Sequence, residues 1–135
     1  MASASSELSV DDHLRVAREF LDFGGRIAAG SAPVDPVTLA WAVTSAYYAA
    51  LHAVTAYMLA AHNERAATHA DRDRWLRDRR FPEFTDQDRK EYFGLKAASE
   101  ASRYYGRAYN VLDHTLWRQR AERIVAKWGD RARKA

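Results

Sequence analysis

Residues 36–62, PVTLAWAVTSAYYAALHAVTAYMLAAH, decide the fold of this chain. Between Val37 and Ala61 there is no Asp, Glu, Lys or Arg. Asp35-Pro36 is a start signal: an N-cap followed by proline at the first helical position, where its missing N–H is no loss. The pattern predicts a helix over 36–62, about 40 Å long at 1.5 Å per residue. Val37, Trp41, Tyr48, Leu51 and Met58 fall along one side, and Val43, Tyr47 and Val54 widen the apolar surface. Something other than water must cover most of such a helix. It is the central helix of a bundle, or it also lines an oligomer interface.

Helical patterns continue on both sides. Residues 1–8 read as a disordered leader. Ser9 with Asp12 forms a capping box for a helix whose stripe is Val10, Leu14, Ala17, Leu21, Gly24 and Ala28, with Phe20 and Ile27 beside it. Gly24-Gly25 costs about 1 kcal/mol per glycine relative to alanine, so either a close neighbouring helix or a local kink is expected there. Gly30-Ser31-Ala32-Pro33 ends that segment. After His62-Asn63-Glu64, Thr68 with Asp71 opens a short charged helix from His69 to about Arg79. Phe81-Pro82-Glu83-Phe84 is a loop with two aromatic anchors. Thr85 with Asp88 starts a helix running towards Tyr104. Gly106 to Leu112 reads as a connection, and Asp113 as the cap of a last helix carrying Leu116, Trp117, Ala121, Ile124, Val125, Trp128 and Ala132. The expected fold is all-α, an antiparallel four-helix bundle plus a short extra helix, in one domain over 9–135.

Composition narrows the chemistry. With no cysteine in 135 residues, disulfides, a thiol nucleophile and thiolate metal sites are excluded. No continuous apolar run reaches the ~20 residues of a membrane span, and the N-terminus lacks the pattern of a signal peptide, so a cytoplasmic protein without a membrane partner is expected. The formal charge is +3, and 17 of the 21 basic residues are Arg. From Arg103 to Ala135 nine basic residues face three acidic ones, which suits an anionic partner or a solvated helix face. No GxGxxG, P-loop, GxSxG or HExxH motif occurs. His69 and Asp73, four apart, read as an ion pair or as two metal ligands lacking a third, so neither metal nor cofactor is expected. His52, one turn after Tyr48, is either a hydrogen-bonded core histidine or a catalytic one.

Ser45-Ala46-Tyr47-Tyr48-Ala49-Ala50-Leu51-His52-Ala53-Val54-Thr55-Ala56 resembles the S-x-YYA-φ-H-A-x-x-A helix of HEPN domains, small helical modules of prokaryotic toxin–antitoxin, defence and RNA-processing systems. Thr68-His69 is similar to that family's Ser-His element, and Ala101-Ser102-Arg103-Tyr104 to its Arg…Tyr element before a final amphipathic helix. The resemblance spans about Leu14 to Ala132. It implies a metal-independent ribonuclease whose Arg and His cut RNA, here Arg107 and His114, with Arg103 and Tyr104 either contacting and stacking on RNA or packing at the helix end. It also implies a homodimer and a nucleotidyltransferase-type antitoxin as partner. Ala108 stands where the active pattern has Asn, Asp or His. HEPN modules without an active pair serve as binding and dimerisation domains, the competing expectation.

Overall fold

The computed structural model describes residues 8–29, 36–104 and 111–135. They form five α-helices: α1 (Val10–Ala29), α2 (Pro36–His62), α3 (His69–Arg77), α4 (Asp86–Tyr104) and α5 (Val111–Lys134). No strand occurs among the described residues, and the fold is all-α. Apart from Leu8, the expected leader lies outside the described residues. So do the Gly30–Pro33 break and the Asp35 cap.

Local chemistry sets the helix ends. The Ser9 N–H donates to the Asp12 carboxylate at 3.0 Å, and the Asp12 N–H donates back to Ser9 Oγ at 3.1 Å. Thr85 and Asp88 repeat this exchange at 2.8 and 3.1 Å, and Thr68 Oγ1 accepts from the Asp71 N–H at 3.1 Å. Each box satisfies amide donors that the first turn leaves without helical partners. At the far end of α2, Asn63 takes a left-handed φ of 52° and its N–H closes on the Leu59 carbonyl at 3.0 Å. Helix α3 stops at Arg77 rather than near Arg79, because the chain turns left-handed at Arg79 (φ 56°). Helix α5 begins at Val111, so Asp113 stands inside its first turn and does not cap it. Apolar Val111 and Leu112 extend the helical pattern, and an acidic residue in the first turn suits the helix dipole.

Helix α2 is the core, packed against α1, α4 and α5. Its Ala42, Ala46, Ala49, Ala50, Ala53 and Ala56 are all buried, and these small side chains let neighbouring helices approach closely. Gly24 of α1 is one such place. A Cβ there would lie 3.3 Å from the Ala42 carbonyl oxygen and 3.3 Å from Ser45 Cβ, so close approach of α1 and α2 accounts for this glycine. Gly25 lies beneath the Arg118 guanidinium of α5. The anchors Phe81 and Phe84 are buried, and Phe84 stacks on Trp128 with ring centres 3.9 Å apart. By length and composition α2 qualifies as a membrane span, contrary to the expectation from continuous apolar runs, although 67% of its most apolar window is buried inside the protein. Ser, Thr and Tyr interrupt its apolar residues without adding charge.

Helix α3 is held by polar contacts. Asp73, 1% exposed, pairs with Lys96 of α4, and Arg72 Nε donates to Thr55 Oγ1 of α2 at 2.8 Å. This overturns one expectation from spacing. Asp73 points into the protein toward Lys96, whereas His69 is exposed and meets the ring edge of Tyr48, so the two do not form a surface pair or a shared metal site. Burial works against the charge of Lys96, but the hydrogen bond and charge of Asp73 raise its pKa above the usual lysine value.

Candidate functional site

Helices α1, α2 and α3 gather a histidine-rich cationic cluster. On α2, Tyr48, His52 and Thr55 recur at four- and three-residue spacing and so share one face. On α3, His69 and Arg72 are three residues apart and also share a face. His13 of α1 closes the group, its Nδ1 lying 2.9 Å from His52 Nδ1. At that distance one ring donates and the other accepts, so at least one Nδ1 carries no proton. Phe20 stacks on Tyr48 and His52, with ring centres 5.5 and 5.8 Å apart. Arg72 is 6% exposed, and its Nη1 is buried with no hydrogen-bond partner.

Burial and nearby cations disfavour the charged form of both histidines. Burial, then the positive charges of Arg72 and Arg65, lowers the pKa of His13, opposed by Asp12. Burial, then His13, Arg72 and His69, pushes His52 down to about 4 from 6.5. A histidine with a depressed folded pKa binds fewer protons folded than unfolded, so its stabilising contribution is present above the unfolded pKa and is lost as pH falls through the folded one. Stability should therefore decline from pH 6.5 towards about 4, above the range where carboxylates dominate. Thermal unfolding of His52→Gln should show a flatter profile in this window; an unchanged slope would exclude the pair as its source.

The structure joins some of the residues singled out from sequence and leaves others apart. Tyr48, His52 and His69 come together in this cluster. Arg103 and Tyr104 form the last turn of α4, and His114 lies in the first turn of α5. Their side chains, and Arg107 altogether, lie outside the described residues. Sequence reasoning missed His13 and Arg72. His13 sits three residues after Val10 and four before Ala17, beside the α1 stripe, a position that signals burial. Arg72 carries no such signal, because a charged residue in a short charged helix reads as solvated.

A further cleft of about 920 Å³, lined mainly from α1, α4 and α5, contains several ion pairs. Lys127 pairs there with Asp88 at 2.7 Å and Arg123 with Glu91 at 3.4 Å. Among the described residues no group of three or more His, Asp or Glu is placed to hold a metal. Comparison of the chain with protein-family models and with curated proteins finds no match in either.

Proposed function

We propose that this protein is an HEPN-like four-helix bundle with a short extra helix that acts on RNA as a metal-independent ribonuclease of toxin or defence type in the cytoplasm. One observation carries the reading. The large exposed hydrophobic residues among the described ones are Phe23, Val37, Trp41 and Leu116, and Phe23 and Trp41 adjoin in sequence the residues of the close approach between α1 and α2. Gly24 meets Ala42 there, and Trp117 packs on Leu39, Val43 and Ala98. Arg103 closes α4 and His114 lies at the start of α5, and Arg107 falls between them in sequence. In the reading proposed, a two-fold dimer through this surface is what lets two Arg107/His114 pairs share one cleft.

The chemistry requires little else. An imidazole near neutral pKa takes the proton of a ribose 2′-hydroxyl, the 2′-oxygen attacks the adjacent phosphorus, and the bond to the 5′-oxygen breaks. The leaving oxygen gains a proton, and the products are a 2′,3′-cyclic phosphate and a 5′-hydroxyl. An arginine holds the phosphate and stabilises the charge that develops on it. The basic C-terminal third strengthens RNA binding, which should weaken steeply with added salt. The test is cleavage of RNA by the wild-type chain in EDTA, with analysis of product ends.

Of Trp41, Trp117 and Trp128, only Trp41 is mainly exposed, at 55%, while Trp128 is buried and Trp117 packs against the core. The remaining patch still supports a two-fold dimer, or a nucleotidyltransferase-type antitoxin over the same residues. Light scattering at high micromolar concentration should give twice the chain mass, and Trp41→Lys should give the single-chain mass. A wild-type monomer removes the homodimer. Ala108 favours a second reading, an inactive assembly module, which retains the dimer and cuts no RNA.

A further inference from the structure

Helices α1 and α5 both pack on α2, and a cleft of about 510 Å³ opens along the seam between them. It adjoins the cleft of about 920 Å³ described above, and Arg18, Ala126 and Arg133 line both, so the two make one groove. None of the exposed residues Phe23, Val37, Trp41 and Leu116 lines it. Leu14 and Leu21 of α1 and Val125 of α5 supply its apolar floor, and exposed Ala126 leaves room for a backbone to lie close to α5. Most of its charges are matched. Arg15 is held by Asp12 and Glu19, Arg123 by Glu91 and Lys127 by Asp88. Glu122 pairs with Arg118, and Asp130 with Lys134. Arg18 on the α1 wall and Arg133 on the α5 wall are exposed and have no acidic partner among the described residues.

We infer that this groove docks an amphipathic α-helix of a partner protein, its apolar stripe on Leu14, Leu21 and Val125 and its flanking acidic residues paired with Arg18 and Arg133. The groove follows α5 from Glu122 to Arg133, roughly 16 Å or about three turns, enough for the i, i+4 and i+7 anchors of one helix. An apolar floor beside two unpaired cations selects this occupant. A nucleic acid would lay phosphates over leucine and valine, whereas acidic residues beside a leucine stripe match floor and walls together. Exposed ion pairs contribute modestly and so short a groove buries little area, so micromolar affinity that weakens with salt is expected.

A display library of peptides about 15 residues long tests this, each an amphipathic helix with a fixed leucine stripe and Glu, Gln or Lys varied beside it. Binders selected on the full chain should carry Glu at those positions. Selection on the Arg18→Glu/Arg133→Glu double variant should return Lys instead. By fluorescence anisotropy, the best acidic peptide should bind that variant about tenfold more weakly than the wild type, the scale of two exposed ion pairs. Ala126→Gln adds bulk to the groove without charge and should also weaken the peptide, which a purely electrostatic surface would not show. All three positions are exposed helix sites, so circular dichroism of the variants should match the wild type. A selection that returns no acidic helix overturns the inference, as do acidic binders that the double variant retains or that Ala126→Gln leaves unchanged. Displacement of the selected peptide by a single-stranded RNA oligonucleotide assigns the groove to nucleic acid and overturns it as well. None of these readouts involves RNA cleavage, so the groove stands or falls independently of the ribonuclease reading.

Discussion

Trp128→Ala is expected to destabilise the protein by about 3–5 kcal/mol, the usual cost of truncating a fully buried tryptophan. Trp128 is 1% exposed and joins three parts of the chain. It stacks on Phe84 at 3.9 Å between ring centres and meets the Tyr57 ring edge-on at 4.8 Å. Phe84 belongs to the loop between α3 and α4, and Tyr57 to the second half of α2. Tyr57 is itself tied to that loop, its hydroxyl donating to the Glu83 carboxylate at 2.5 Å. Losing the indole leaves a cavity where α2, α5 and the loop meet, which rigid helices cannot close. Denaturant unfolding should show a lower midpoint at unchanged slope, and the thermal midpoint should fall by roughly 10 °C or more. A loss below about 1 kcal/mol would mean that this junction relaxes freely.

The second large effect concerns chemistry. If the proposed ribonuclease reading holds, His114→Ala should lower RNA cleavage on the order of 10²-fold or more, the scale of general acid–base catalysis. RNA binding should survive, because phosphate contacts from the basic residues supply most of the affinity. Arg107→Ala should weaken binding and cleavage together. Rates measured in EDTA separate this site from contaminating metal-dependent nucleases. Cleavage unaltered in His114→Ala removes the proposed site. Absence of both cleavage and RNA binding in the wild type leaves the assembly-module reading.

Helix positions were largely legible because they depend on local chemistry. Capping boxes at Ser9, Thr68 and Thr85 act within four residues, so their donors and acceptors can be read from the order of side chains. The end at Arg77 was missed by two residues, and α5 already includes Val111 and Leu112, which were read as part of the connection. There the competing conformations differ by a single turn, and sequence spacing does not separate them. The site was less legible. Tyr48, His52 and His69 were singled out one by one, but nothing local shows that His13, 39 residues from His52, shares its Nδ1 contact.

By itself the sequence determined an all-helical chain, a charge-free core helix over 36–62 and the absence of cysteine chemistry. Periodicity and capping are short-range effects, so they survive without knowledge of neighbours. Tertiary structure alone decided that Asp73 turns inward to Lys96, that Arg72 is buried beside Thr55, and that Trp128 fills the core while Trp41 stays exposed. A charged or aromatic side chain on a helix has the same local propensity either way. Whether it faces water or a partner is set by which helix packs on that face, and that partner lies tens of residues away along the chain.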